Sequence, residues 1–214
     1  MKKRWQTALC LFLLFASLFL SFTSCQRETD QEVLAQAQAL LPLSFLVNEM
    51  YLGEGIEWDE EGKKIGSYYE AKASSLSHFG VTGLSDIRAK AEAVYSEGVC
   101  AQLYSIVLNP LLVDGALVSP KRYYETEGEK EGERLLMVAT NYEPIGVGKN
   151  TYEDCRLVWC RGKEAEISVK LSVSYKEHPV QTEENATFRL IKENGVWKLD
   201  SITVKYYDTE EIAP

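Results

Sequence analysis

From residue 30 onward the chain changes its hydrophobic period once, from helical spacing in the first half to alternation in the second. Asp30 can cap a helix whose apolar residues Val33, Leu34, Ala37, Leu40 and Leu41 recur at helical spacing and continue past Pro42 through Phe45, Leu46 and Met50. Pro42 has no backbone N–H and is expected to kink or divide that helix. Gly53-Glu54-Gly55 closes it, and the acidic run over residues 57–62 reads as an exposed loop. Residues 66–73, with Tyr68 and Tyr69, suggest a short strand. Ser85 then caps a second helix, with Ile87, Ala91, Val94 and Tyr95 on one stripe and Arg88, Lys90, Glu92 and Glu97 toward water. Residues 101–108 form a further helix that stops before Pro110.

Past the middle, residues 135–140 and 155–160 are candidate strands. Ala165, Ile167, Val169, Leu171, Val173 and Tyr175 then alternate without a miss against Glu166, Ser168, Lys170, Ser172 and Ser174, the mark of a half-buried antiparallel strand. Ala186, Phe188 and Leu190 repeat the pattern, and Asn194-Gly195 predicts a type I′ hairpin turn. Trp197 and Leu199 point inward on the next strand, whereas Ile202, Val204 and Tyr206 are one residue out of phase with them. A β-bulge at Asp200-Ser201 would return both sets to one face and bend the strand. Helices first and antiparallel strands after predict an α+β fold in which N-terminal helices pack on a curved antiparallel sheet.

The first residues are an address. Lys2, Lys3 and Arg4 precede a run over residues 9–22 that is almost unbroken Leu, Phe and Ala, the layout of a secretory signal peptide. It ends in Ser21-Phe22-Thr23-Ser24-Cys25, followed at once by polar Gln26-Arg27-Glu28-Thr29-Asp30. That junction resembles the lipobox of bacterial lipoproteins, in which cleavage falls just before a cysteine that becomes diacylated. The resemblance implies a signal peptide over 1–24, lipid attachment at Cys25, a short tether over 25–30 and an extracytoplasmic protein anchored to the cell membrane. The alternatives are an uncleaved anchor, or an ordinary signal peptide with an incidental cysteine. A single α+β domain is expected over 31–208, with a helical insertion near 85–109 and a tail over 209–214.

Charge narrows the partners. With 23 Lys and Arg against 32 Asp and Glu the formal charge is −9, and loss of Lys2, Lys3 and Arg4 with the leader takes it to −12. Such a surface repels phosphates, so nucleic acid is excluded as a partner and membrane attachment rests on the lipid. Cys100, Cys155 and Cys160 remain, an odd number; a bridge from Cys100 to one of the other two is geometrically open, and buried free thiols are the simpler reading. Cys155 and Cys160 on one regular strand would lie about 16 Å apart on opposite faces and would not bridge. No cysteine or histidine spacing matches a metal site, the acidic loop does not fit a calcium loop, and no cofactor motif is present.

The tract from Thr187 to Ile202, with Asn194-Gly195 and Trp197-Lys198-Leu199-Asp200 at its centre, resembles the closing hairpin of the nuclear transport factor 2-like, or cystatin-like, superfamily. The resemblance covers residues 154–206 and implies a cone-like sheet folded over the N-terminal helix. The layout is also similar to Gram-positive lipoproteins that include inhibitors of cell-wall endopeptidases, although no inhibitory motif can be matched. Superfamily enzymes place a carboxylate and a tyrosine in the cone, which makes Asp154 and Asp200 with Tyr175 or Tyr206 the candidate pocket residues. Their plainer reading is turn and bulge caps for the aspartates and packing for the tyrosines.

No nucleophile-base pair, phosphate loop or zinc-protease motif is present. The tyrosine doublets 68–69, 123–124 and 206–207 would each point one ring in and one out, and the outward rings offer contact area. These features together predict a non-enzymatic, lipid-tethered binding or interaction protein of the bacterial envelope that meets an envelope protein or small ligand, with inhibition of a cell-wall hydrolase as a variant. A small-molecule enzyme using the cone as its active site is the alternative.

Overall fold

A computed structural model describes residues 29–109, 111–113, 116–119, 121–142, 144, 149–174 and 182–204. The first helix, α1 (Asp30–Tyr51), starts one residue earlier than its acidic sequence suggests. Thr29, not Asp30, is the N-cap: its side chain accepts from the Glu32 N–H while the Glu32 carboxylate accepts from the Thr29 N–H, a reciprocal capping box. The helix also runs unbroken through Pro42, which was expected to kink or divide it. A proline inside a helix costs about 3 kcal/mol, and what offsets it is burial on the other face. Val33, Ala37, Leu40, Leu41, Val47, Met50 and Tyr51 are buried, while Pro42 itself faces outward.

Two antiparallel sheets take the place of one curved sheet. β1 (Lys64–Ile65), β2 (Tyr68–Glu70), β5 (Tyr123–Glu127) and β6 (Arg134–Ala139) form one in the order β1-β2-β6-β5. β7 (Lys149–Arg161), β8 (Glu164–Ser174), β9 (Thr182–Glu193) and β10 (Val196–Leu199) form the other, in the order β10-β9-β8-β7. β3 (Leu111–Val113) and β4 (Ala116–Ser119) pair as a separate hairpin. The strand expected over 135–140 thus forms one residue earlier, as β6, and belongs to a different sheet from the C-terminal hairpins.

On β8 the alternation holds along its described length, with Ala165, Ile167, Val169, Leu171 and Val173 all buried. The Asn194-Gly195 turn joins β9 to β10 with φ of 50° and 85°, both in the left-handed region that a type I′ turn requires.

Helix α1 packs against β7 at one edge of the second sheet and against β10 at the other. Among the described residues three further helices follow: α2 (Ala73–Phe79), α3 (Leu84–Val94) and α4 (Glu97–Val107). No helix among the described residues is long and apolar enough to cross a membrane. α2 falls in a stretch the hydrophobic period left unassigned. Ser85 lies inside α3, whose N-cap is Gly83, and α4 begins four residues earlier than position 101 because Ser96 caps it through the Val99 N–H.

α3 and α4 are tied into the same core as α1. Ile87, Ala91, Val99 and Leu103 pack with Val47, Tyr51, Trp197 and Leu199 in one buried cluster. Lys198 donates from Nζ to the Glu92 and Ala93 carbonyls, which closes the C-terminal end of α3 with a positive charge.

The far end of α1 is held by Arg122. Its guanidinium is buried, donates to the Tyr51 and Glu54 carbonyls, and stacks on the rings of Tyr123 and Tyr142. Gly55 fits here for want of a side chain: its φ is 69°, and a Cβ would strike the Arg122 guanidinium and the Tyr123 hydroxyl.

Candidate functional site

Among the described residues the longest strand, β7, is an edge strand, and its inward positions do not follow simple alternation. Its residues that are buried or packed against the core are 150, 152, 155, 157 and 160, with spacings of two, three, two and three. Two register shifts against β8, between Glu153 and Arg156 and between Leu157 and Trp159, each add one residue and reset the face. Asp154 stands at the first with φ of 48°, a conformation that aspartate tolerates better than most residues. Cys155 and Cys160 consequently both pack against the core instead of facing opposite sides. Neither is in a disulfide, and nor is Cys100.

The bulged strand and α1 leave a groove between them. Its upper part, about 460 Å³, is walled by Leu41, Pro42 and Phe45 of α1 and by Tyr152 of β7, with Gln38, Asn150, Asp154 and Cys155 around it. A second hollow of about 560 Å³ continues along the same two elements, from Asp30 and Leu34 to Arg156, Val158 and Trp159, and shares Cys155 with the first. Burial pushes the Cys155 thiol above its ordinary range, which keeps it protonated and a weak nucleophile at neutral pH.

Asn150 is only 6% exposed, and among the described residues neither Oδ1 nor Nδ2 of its side chain has a hydrogen-bonding partner. Buried amides are nearly always paired, and leaving one unpaired costs about 1–3 kcal/mol.

Beneath the groove lies a polar cluster. Thr203 Oγ1 is 2.6 Å from Ser44 Oγ and 3.1 Å from the Tyr95 hydroxyl, and it accepts from Asn48 Nδ2 at 3.1 Å. The Tyr95 hydroxyl donates to Asn48 Oδ1 at 2.8 Å, and the Tyr152 hydroxyl donates to the Thr203 carbonyl at 3.2 Å. Desolvation raises the phenol pKa of both Tyr95 and Tyr152 above the usual tyrosine value, so both remain neutral donors. The cluster joins α1, α3's C-cap, β7 and the segment after β10 across the whole sheet.

That segment departs from expectation. β10 ends at Leu199, no bulge at Asp200-Ser201 continues the strand, and the buried side chains beyond it are Thr203 and Val204, with Ile202 only half-buried. The Asp200 N–H still bonds the Arg189 carbonyl, after which the chain leaves the sheet and crosses toward β7.

Of the candidate residues, Asp154 lines the groove. Asp200 does not: its Oδ1 accepts from the Ser96 hydroxyl at 2.7 Å, a bond that ties α4's N-cap to the end of β10. Asp154 and Asp200 are thus not brought together in this groove, and the partner of Asp200 is Ser96 rather than a bulge in its own strand. Cys25, Tyr175 and Tyr206, with the leader over 1–24 and the tail over 209–214, lie outside the described residues. The doublet at 123–124 splits as expected, Tyr123 buried and Tyr124 half-exposed against Tyr68, whereas Tyr68 and Tyr69 are both half-buried.

Asn150, Ser44, Asn48 and Thr203 are the residues that sequence reasoning missed. Ser44 and Asn48 carried a signal, a polar pair four apart within the apolar stripe of α1. Among the described residues no group of three or more His, Cys, Asp or Glu could hold a metal ion. The chain matches no family model, and no curated protein is significantly similar to it in sequence.

Proposed function

We propose that the chain is a lipid-anchored, extracytoplasmic binding or interaction protein of the bacterial envelope, acting by contact and not by catalysis, with inhibition of a cell-wall hydrolase as one form that action can take. The leader and Cys25 supply the address and the anchor, through the lipobox resemblance. The observation that carries the binding reading is the groove between α1 and β7. Leu41, Phe45 and Tyr152 give it an apolar wall, and Asn150 and Asp154 place polar groups beside that wall, the composition of a recognition site.

Its thiol is held protonated and its tyrosine neutral, states suited to contact. A net charge of −9 favours a basic partner. We further infer a cone-like arrangement of the nuclear transport factor 2 kind for the second sheet. Its support is α1 lying across the sheet from β7 to β10, with the Thr203 cluster between.

The test has two arms. In cells fed an alkyne fatty acid the parent chain takes up label and fractionates with membranes, and Cys25→Ala abolishes both. Envelope partners retained by a lipid-free chain are released by raised salt and lost on Asp154→Lys. Unlabelled parent chain in the cytosol would refute the anchoring, and partner retention indifferent to the groove variant would refute the site.

A further inference from the structure

The lining of the groove along β7 is a run of consecutive residues, 150–152 and 154–160, and not every second one. Alternate residues would present one face of a strand. Consecutive ones present its edge, where N–H and C=O groups lie open to another chain. Among the described residues β7 pairs with β8 alone, so its other side is that edge.

Asn150 sits in this edge and, among the described residues, neither of its carboxamide atoms has a partner, whichever way its oxygen and nitrogen are assigned. A carboxamide offers one acceptor and one donor side by side, and the complementary pair is the C=O and N–H of a peptide. Across the groove Pro42 has no N–H to give the Gln38 carbonyl, which leaves that acceptor short of its helical donor. Both residues line the same hollow. Asp154 is the charged side chain in the upper hollow, and the chain as a whole is acidic.

We propose that the groove is a peptide-binding site for an extended segment of a partner protein. The Asn150 carboxamide clamps one backbone amide of the segment, an apolar side chain rests against Leu41, Phe45 and Tyr152, and a neighbouring Lys or Arg meets Asp154. The segment runs beside β7, and the bulge at Asp154 limits regular pairing to the stretch before it, so recognition is short and side-chain specific and not open-ended strand addition. The proposal rests on the reading of the chain as a binding protein and narrows its ligand class.

The experiment titrates three fluorescein-labelled octapeptides into the full chain in non-ionic detergent, with empty micelles as the blank: acetyl-(Lys-Val)4-amide, its Glu-Val counterpart, and the Lys-Val peptide N-methylated at alternate residues. Anisotropy is expected to show saturable binding of the first, with the other two weaker by about tenfold or more. Asn150→Leu is expected to weaken that binding by a similar factor while its thermal midpoint equals or exceeds that of the parent, because an unpaired buried amide is a burden to the free protein.

Equal binding of all three peptides, or binding unaffected by Asn150→Leu, overturns the proposal. So does a lowered midpoint for Asn150→Leu, which would show the amide to be satisfied within the fold. A photo-crosslinker at Thr151 that captures the chain's own residues 205–214, or a second copy, assigns the groove to that occupant and overturns it equally. If every peptide fails while envelope partners are still retained in an Asp154-dependent way, the peptide class alone falls. If both fail, the binding reading falls with it.

Discussion

Thr203→Val tests whether the polar cluster fastens the C-terminal segment across the sheet. Valine matches threonine in shape, so the change deletes a hydroxyl and opens no cavity. Four groups reach that oxygen: Ser44 Oγ at 2.6 Å, Asn48 Nδ2 and the Tyr95 hydroxyl at 3.1 Å, and the Tyr152 hydroxyl at 3.4 Å. Three of them keep a second partner, since Ser44 still donates to the Leu41 carbonyl, Tyr95 to Asn48 Oδ1 and Tyr152 to the Thr203 carbonyl. Asn48 Nδ2 is left without the acceptor it uses, in a place where Asn48 and Thr203 are both sealed from solvent.

One orphaned buried donor plus partial losses at three hydroxyls amounts to about 2 kcal/mol, within the 1–3 kcal/mol range for an unsatisfied group. For a domain of this size that corresponds to a fall of about 4–8 °C in Tm. Urea unfolding followed by the fluorescence of buried Trp197 measures it, with an unchanged slope showing that the native state has kept its compactness. The double variant Asn48→Leu, Thr203→Val should lose less than the two single changes together, because it removes donor and acceptor as a pair. A Thr203→Val protein within about 0.5 kcal/mol of the parent would refute the reasoning, as that is the range of an ordinary surface change.

Arg122→Met should destabilise by about 2–3 kcal/mol, since the Tyr51 and Glu54 carbonyls lose a charged donor at the end of α1, and Arg122→Lys should recover little, because a compact ammonium cannot serve both; chemical denaturation of both variants checks this. Gly195→Ala, at φ 85° in the β9–β10 turn, should lose about 1 kcal/mol by the same assay. Stability should also fall in alkali. Burial raises the Cys100 thiol from 9.0 to about 11 and raises the phenols of Tyr51, Tyr95 and Tyr123, so above pH 9 the unfolded chain gives up protons that the folded one retains. Stability is then full below pH 9 and declines as pH rises through about 11, which denaturant midpoints across that range would show. Cys100 is almost wholly buried, whereas Cys155 and Cys160 are half-buried, so a thiol reagent should label the latter two first under native conditions, as peptide mapping would detect.

The elements legible in the sequence are those that hydrophobic period and turn chemistry dictate by themselves. β8 and the Asn194-Gly195 turn are local patterns, and nothing distant overrides them. The long helix was legible too, but not its continuity: Pro42 disfavours it locally, and only the apolar stripe buried against the two sheet edges outweighs that. β7 was half legible, because two inserted residues break its alternation and hide the inward positions 150 and 152 from a period-two reading. The division of the strands into two sheets depends on long-range pairing, such as Tyr69 with Val138, that no local pattern encodes.

The candidate site suffered most. Asp154 was found, but beside Asp200, which lines no part of the groove and instead holds the N-cap residue of α4. Asn150 and Thr203 were invisible because their significance lies in what surrounds them after folding. The polar pair Ser44 and Asn48 on the apolar face of α1 is the sequence's own pointer to a buried polar partner, which is Thr203.

The most direct test of the groove as the working surface is a photo-crosslinking scan in intact cells, with a photoreactive amino acid placed singly at Thr151, at Val158, at Ile106 on α4 and at Lys64 on β1. Val158 and Ile106 are comparably open to solvent, at 52% and 40%. Adducts to an envelope partner at Thr151 and Val158 but not at Ile106 or Lys64 are expected. Adducts of equal yield at all four positions, or at Ile106 and Lys64 alone, would contradict it.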